Sequence, residues 1–347
     1  MMQKKPSYRI AIVGATGAVG SEMIRQLEMA NIPIGELKLM ASKRSAGETR
    51  RFRGELITIE EAAPDGFEGV DIALFSAGGS VSQALAPEAV ARGALVIDNT
   101  NAFRMEPGVP LVVPEVNAAE ALKNEGIIAN PNCSTIQMVT ALKPIYDRFG
   151  IERMVVSTYQ AVSGAGQKAV EELRRQTRAA LAGEAFEPHI LPVSSQPKHY
   201  PIAFNAIPQI DVFQENGFTL EEMKMVRETQ KILSDPEVKL TVTCVRIPVY
   251  YGHSESIYAE LKEPFDLDEV KQLLASAPGV VLQDDPAQQV YPLATDAQGK
   301  REVFVGRVRR DLFFPQGLNL WVVSDNLLKG AAWNAVQIAE YMVAQSA

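Results

Sequence analysis

The stretch Tyr8-Arg9-Ile10-Ala11-Ile12-Val13-Gly14-Ala15-Thr16-Gly17-Ala18-Val19-Gly20 decides how the first half of the chain is read. A short apolar run of strand type ends on three glycines. Helical spacing then begins, through Met23, Ile24 and Leu27. Strand, glycine turn and helix in that order form a dinucleotide-binding loop, here with the spacing G-x-x-G-x-x-G. Glycine lets the backbone approach a pyrophosphate closely, and the helix start offers unpaired N–H groups and positive potential to it. Gly14, Thr16, Gly17, Ala18 and Val19 are the cofactor candidates of this loop.

Beyond the loop, short β-rich runs alternate with helical stretches, the pattern of a doubly wound α/β domain of Rossmann type. Expected strands are Leu37–Ala41, Leu56–Ile59, Asp71–Phe75, Leu95–Asp98, Leu111–Val113 and Ile127–Ala129. The second half carries longer, partly alternating runs at 154–160, 240–249, 256–261, 303–309 and 318–323. These suit a mixed or antiparallel sheet covered on one face by helices, expected at 167–181, 220–233 and 267–275. The reading is therefore an N-terminal Rossmann-type domain over 1–132, and an α+β catalytic domain over 133–325. A closing helical pattern follows from Asn326 to Val343.

The end of the second strand reports on the nucleotide. An NAD site usually places a carboxylate there, about 20 residues past the loop, to hold the ribose 2′-hydroxyl. Here the segment is Ala41-Ser42-Lys43-Arg44-Ser45-Ala46-Gly47, with two cations, hydroxyls and no acid. That chemistry favours a 2′-phosphate and hence NADP(H), with Ser42, Arg44 and Ser45 as candidates.

Of the two cysteines, Cys244 lies inside a strand pattern and reads as core, whereas Cys133 follows Asn130-Pro131-Asn132. Helical spacing resumes at Ile136, and Asn132 is a cap candidate. A thiol in the first turn of a helix is stabilised as thiolate, which makes it a nucleophile. A nucleophilic thiol combined with a hydride carrier implies a thioester that accepts hydride. Three histidines are present, His189, His199 and His253, and residue chemistry alone does not choose which of them assists the thiol.

Composition narrows the function class. The 347 residues are 46% apolar and 22% charged with a net charge of −8, and no basic stripe or ~20-residue apolar span occurs. Nucleic acid and membrane partners are not expected, no residue is assigned to a metal, and the cytoplasm is the expected location.

Several motifs together resemble the aspartate-semialdehyde dehydrogenase family over almost the whole chain. They are Gly14–Gly20, Ser42–Gly47, Ser76-Ala77-Gly78-Gly79, Asp98-Asn99-Thr100-Asn101-Ala102-Phe103-Arg104, Asn130-Pro131-Asn132-Cys133, Gln160–Gly166, Glu221–Lys224, Arg246–His253 and Ser324-Asp325-Asn326-Leu327. The Ala165-Gly166-Gln167 passage and the Ala41–Gly47 loop resemble the shorter bacterial branch common in Gram-positive organisms. The resemblance implies reduction of L-aspartyl 4-phosphate by NADPH to L-aspartate 4-semialdehyde and phosphate, a step toward lysine, threonine, methionine and diaminopimelate.

The same resemblance implies residue roles. Cys133 is the nucleophile, His253 the acid/base and Gln160 the residue that orients the intermediate. Arg246 clamps the substrate carboxylate, Arg104 and Lys224 hold phosphate, and Glu221 bonds the substrate amino group or fixes neighbouring cations, with Asn132 also on the substrate side. Ser76, Gly78, Ser163, Gly164 and Asn326 join the cofactor set, the closing helix over 326–347 is implied to return to the first domain, and the second domain's sheet is implied to form a homodimer. Rival readings are an N-acetyl-glutamyl-phosphate reductase and a non-catalytic NADP-binding homologue. Against the first, Arg246 with Glu221 suits a free amino acid; against the second, Cys133, Gln160, Arg246 and His253 are all present. A glyceraldehyde-phosphate dehydrogenase lacks support because its Ser-Cys-Thr-Thr-Asn signature is missing.

Overall fold

The computed structural model describes residues 2–347. It divides into two compact units, one running through Asn132 and taking up again at Ala331–Ala347, the other Cys133–Gly330.

In the first unit β1 (Tyr8–Val13), α1 (Ala18–Glu28), β2 (Ile34–Ala41), β3 (Thr49–Phe52), β4 (Glu55–Glu61), β5 (Ile72–Phe75), α2 (Gly79–Ala91), β6 (Leu95–Asp98), α3 (Pro114–Asn117) and β7 (Ile127–Ala129) follow one another. The sheet order is β3-β4-β2-β1-β5-β6-β7, parallel apart from β3. Both faces are buried, which is why these strands read as continuous apolar runs. Ile10 and Ile12 pack on one side with Met23 and Leu27 of α1, while Ala11 and Val13 pack on the other with Phe67, Ala86 and Ala89. Strand order reverses between β1 and β5, and in such sheets ligands bind beyond the strand ends at that point.

Two expectations need correction here. Leu111–Val113 forms a single bridge, Leu111 to Ala129, because Pro110 and Pro114 on either side have no N–H to extend a ladder. The edge strand β3, Thr-Arg-Arg-Phe, has too polar a sequence to be read as a strand.

The second unit holds α4 (Cys133–Phe149), β8 (Ile151–Gln160), α5 (Gln167–Ala182), α6 (Leu220–Leu233), β9 (Lys239–Arg246), β10 (His253–Leu261), α7 (Leu267–Ser276), β11 (Val280–Leu282), α8 (Ala294–Ala297), β12 (Val303–Arg310) and β13 (Gly317–Ser324). Its mixed sheet has the order β11-β12-β13-β10-β8-β9. Helices α4, α6 and α7 pack against the sheet or each other. On the opposite face Val155, Thr241 and Thr243 are exposed, and Ser157, Tyr159, Val245, Ser256, Tyr258 and Trp321 are half-buried. Strand β9 stops at Arg246 and does not reach Val249, since Pro248 interrupts the ladder.

The chain rejoins the first unit at Ala331 and not at Asn326. Asp325 accepts the N–H groups of Leu327 and Leu328, and Asn326 bonds within the second unit, which holds 325–330 there. A π-helical turn, Leu328–Ala332, precedes α9 (Trp333–Ala344). Among the described residues no helix is long and apolar enough to cross a membrane.

Candidate active site

The glycine loop of the first unit is shaped by close contacts. Gly14 has φ +95°, and a Cβ there would lie 2.5 Å from the Ser76 carbonyl oxygen; one on Gly20 would lie 2.1 Å from the carbonyl oxygen of Gly14. Helix α1 starts at Gly17, which caps it with no side chain, and its first turn carries no acid. Its first N–H groups are therefore available to an anion.

A cleft of about 610 Å³ opens beyond β1 and β5, lined by Gly14, Thr16, Gly17, Ser42, Lys43, Ser76 and Ser80 among others. Of the cofactor residues expected in this unit, Ala18, Val19, Arg44, Ser45 and Gly78 are not part of that lining. Arg44 is exposed beside Lys43, whereas Ser45 is buried in a short 3₁₀ turn. Glu61, at the end of β4, also lines the cleft and was not anticipated. The bare helix start, the glycine cradle and the cation pair fit a phosphorylated dinucleotide.

Arg104 is buried in the same unit. Its Nε donates to the carbonyl of Asn130 at 2.9 Å and its Nη2 to that of Asn99 at 3.0 Å. Asn130 is itself locked: its side chain donates to Asn99 Oδ1 at 2.7 Å and accepts from Asn334 Nδ2 at 2.6 Å. This amide lattice fixes the backbone that leads through Pro131 and the buried Asn132.

In the second unit Cys133 is the first residue of α4, a 17-residue helix, and its thiol is partly exposed. The helix start places the sulfur at the positive end of the peptide dipoles. Gly330 packs against it so closely that a Cβ there would lie 2.7 Å from Cys133 Cβ.

Gln160 closes β8 directly beside Arg246, its register partner on β9. Its amide nitrogen donates to Ser134 Oγ (2.9 Å), Thr158 Oγ1 (3.3 Å) and Glu221 Oε1 (3.2 Å). Glu221 is positioned by the start of α6, where Thr219 and Glu222 form a reciprocal capping box. The second carboxylate oxygen of Glu222 accepts the N–H of Cys244 at 2.9 Å, which ties that helix end to β9. Lys224 bridges Glu221 at 3.3 Å and Asp211 at 2.9 Å. Asp211 was missed because nothing local in the sequence pairs it with a lysine 13 residues on.

Arg246 and His253 are both held by the backbone of Ala161. Nη1 of Arg246 donates to the Ala161 carbonyl at 2.7 Å, and the Ala161 N–H donates to Nδ1 of His253 at 3.0 Å. Both side chains are buried. Burial lowers the Arg246 pKa from its ordinary value, and Glu221 and Cys133 oppose that shift electrostatically. His253 is held well below the usual imidazole value by burial and then by the Arg246 charge.

Gly164 lies against both: a Cβ there would sit 2.9 Å from Arg246 Nη1 and 3.2 Å from His253 Nε2. Asn326 accepts from the Gly252 N–H (3.0 Å) and donates to Ser163 Oγ (3.0 Å), so it pins the turn that precedes His253. Ser163, Gly164 and Asn326, expected near the cofactor, thus all border the His253 pocket. His189 and His199 lie in loops outside this group.

Similarity to known proteins gives the family. The family model for the semialdehyde dehydrogenase NAD binding domain matches residues 9–124, and that for the semialdehyde dehydrogenase dimerisation domain matches residues 142–329. The aspartate-semialdehyde dehydrogenase of Bacillus subtilis (strain 168) is 61% identical over 332 residues, 95% of this chain and 96% of that protein. Aspartate semialdehyde dehydrogenase II from Vibrio cholerae, solved complexed with ASA, superposes with a TM-score of 0.93 at 49% identity, over 98% of this chain and 99% of that one. The Candida albicans aspartate semialdehyde dehydrogenase, solved with NADP, gives 0.73 at 25% identity, covering 97% and 98%. The chain belongs to the aspartate-semialdehyde dehydrogenase family.

Proposed function

We propose that the chain catalyses the reversible, NADPH-dependent conversion of L-aspartyl 4-phosphate to L-aspartate 4-semialdehyde and phosphate, through a thioester on Cys133. The observation that carries this reading is a thiol at the start of α4 in the unit that also groups Gln160, Glu221, Arg246 and His253. The thiolate attacks the acyl carbon and phosphate leaves. Arg246 offers the planar fork suited to the substrate carboxylate, and Glu221 receives the ammonium group. Gln160, tied to Ser134 and Glu221, orients the acyl group on Cys133, which Asn132 precedes in sequence. Arg104 and Lys224 supply positive charge for the phosphate.

NADP(H) fits the first unit's cleft, with Gly14, Thr16 and Gly17 at the pyrophosphate and Ser42, Lys43 and Arg44 at the 2′-phosphate. When bound it supplies the hydride that reduces the thioester. We assign the half-exposed face of the second unit's sheet, around Val155, Tyr159 and Trp321, to a homodimer contact, and the enzyme to the cytoplasm as a step toward lysine, threonine, methionine and diaminopimelate.

The test is phosphate-dependent oxidation of aspartate semialdehyde, followed as NADPH absorbance. Activity abolished by Cys133→Ala, and alkylation of Cys133 blocked by substrate, are the expected results. Absence of both in the parent enzyme refutes the reading. Activity with N-acetyl-glutamate semialdehyde in place of aspartate semialdehyde favours the rival reductase.

A further inference from the structure

Glu255 is a buried acid that the proposed chemistry does not use. It lies on β10 with its side chain fully enclosed beside Gln137 of α4, which packs on that strand. Among the described residues no cation pairs with it. Burying a carboxylate without a counter-charge is so costly that the group takes up a proton instead. Burial accordingly raises the pKa of Glu255 well above the usual carboxylate range, and the Gln137 amide offsets only part of that rise.

The groups around this acid are polar, uncharged and tied to the site. Gln137 stands one helical turn beyond Cys133 on α4. Its Nε2 donates to the His253 carbonyl at 3.4 Å, and its Oε1 accepts from Ser324 Oγ at 2.7 Å. Thr158 of β8 is the register partner of Glu255, and its Oγ1 accepts the Gln160 amide at 3.3 Å. A neutral carboxyl group offers an O–H to donate and oxygens to accept, which suits amides and hydroxyls alike; a carboxylate only accepts.

We propose that Glu255 is a positioning residue: as a neutral acid it joins Gln137 to the sheet and so fixes the first turns of α4, which carry Cys133. The inference rests on the thioester reading above, because it works through that thiol. The charged and titratable groups on the elements packed there are Cys133 on α4, Glu221 and Glu222 on α6, Cys244 and Arg246 on β9, and His253 on β10. A charge on Glu255 would join those of Glu221 and Glu222, which already push up the Cys244 thiol. One helical turn below Cys133, the same negative charge would oppose the helix dipole that favours thiolate. Neutrality avoids that conflict.

Three measurements on the full-length enzyme test this. Infrared spectra near neutral pH are expected to carry the carbonyl stretch of a buried carboxylic acid, lost in Glu255→Gln. The pH profile of Cys133 alkylation by iodoacetamide is expected to give a thiol pKa in Glu255→Gln within about 0.3 unit of the parent, since one neutral group replaces another. Glu255→Leu, similar in size but unable to hydrogen-bond, is expected to lower kcat on the order of tenfold with KM for aspartate semialdehyde within about twofold. Glutamine, which can still bond the Gln137 amide, is expected to recover at least about threefold of that loss.

Absence of the carboxylic acid band, a thiol pKa displaced by more than about 0.3 unit in the glutamine variant, or glutamine no better than leucine each overturns the proposal. The infrared arm compares the parent with its isosteric variant alone, so it holds even where Glu255→Leu fails to fold. A parent enzyme inactive toward aspartate semialdehyde refutes the proposed function instead, while the infrared and alkylation arms still report on Glu255.

Discussion

Gly330→Ala sets two opposed effects against each other at the nucleophile. Gly330 lies in the helical turn Leu328–Ala332, where alanine is intrinsically favoured over glycine by about 1 kcal/mol. The new methyl, however, would stand 2.7 Å from Cys133 Cβ and 3.2 Å from its Cα. Carbon atoms in good contact stand about 3.5–4.0 Å apart, so the shortfall is roughly 1 Å. Neither atom can swing away, because Cα belongs to the backbone of α4 and Cβ is fixed to it. Overpacking of this kind costs about 1–3 kcal/mol, enough to outweigh the helix preference.

If α4 yields instead, the sulfur moves, and a displacement of about 1 Å costs on the order of 10²-fold in rate. The expected result is therefore a kcat/KM lowered by about 10–10²-fold, with net destabilisation of up to about 2 kcal/mol. Steady-state assay and thermal unfolding measure both. A stability cycle locates the cause: Cys133→Ala keeps the offending Cβ and the penalty, whereas Cys133→Gly removes the Cβ and relieves it. A Gly330→Ala enzyme with parental melting temperature and kcat/KM within about twofold of the parent would refute the packing argument.

Other outcomes follow from groups elsewhere. Glu255 is buried, and burial raises its pKa well above the ordinary value, with the Gln137 amide nearby offsetting only part. The unfolded chain releases this proton above about pH 4.3 while the folded one retains it, so stability falls as pH rises. Glu255→Gln removes that loss, and its stability relative to the parent should grow by up to about 1.4 kcal/mol per pH unit in denaturant melts. A gap constant between about pH 5 and 8 defeats the idea. Asn334→Leu strands the Val112 carbonyl and Asn130 Oδ1, both acceptors of its amide. It should lower stability by about 2–4 kcal/mol, and a loss below about 0.5 would contradict the amide lattice. The double variant Lys43→Glu, Arg44→Glu should raise KM for NADP at least about tenfold and leave KM for NAD within about twofold, measured by initial rates. An equal effect on both nucleotides would remove these cations from the 2′-phosphate.

What the sequence disclosed depended on whether a residue acts through its type or through its backbone. The strands β1, β6 and β7 and the helix α6 follow from apolar period and flanking breakers alone, and Cys133 at a helix start follows from Asn-Pro-Asn before a helical pattern. Helix α2 went unread, because Gly79, Ser80, Ser82 and Pro87 all suggest a turn; Ala86 and Ala89, packed under Phe67 and Phe75, override that local preference. Ser45 has the right chemistry for a phosphate, yet its side chain is turned inward by the 3₁₀ turn after β2. Gly330 and Ala161 carry no chemical signal at all. One matters for what it lacks and the other for its peptide groups, and only the folded chain shows either.

The Ala161 contacts explain how buried charge is tolerated at this site. Arg246, His253 and Glu221 are each costly to bury, and each would shift position if its partner were merely another flexible side chain. Instead Arg246 and His253 are fixed by the carbonyl and N–H of a residue that continues β8, whereas Glu221 is held by two side chains at once, those of Gln160 and Lys224. The pairing of Gln160 with Arg246 is the final rung of the parallel β8–β9 ladder. A slip of one residue in that register would turn Arg246 to the sheet's other face and break all these contacts together. The chemistry of the second unit therefore depends on strand register as much as on residue identity, and the buried Ala161 must keep the N–H that proline lacks.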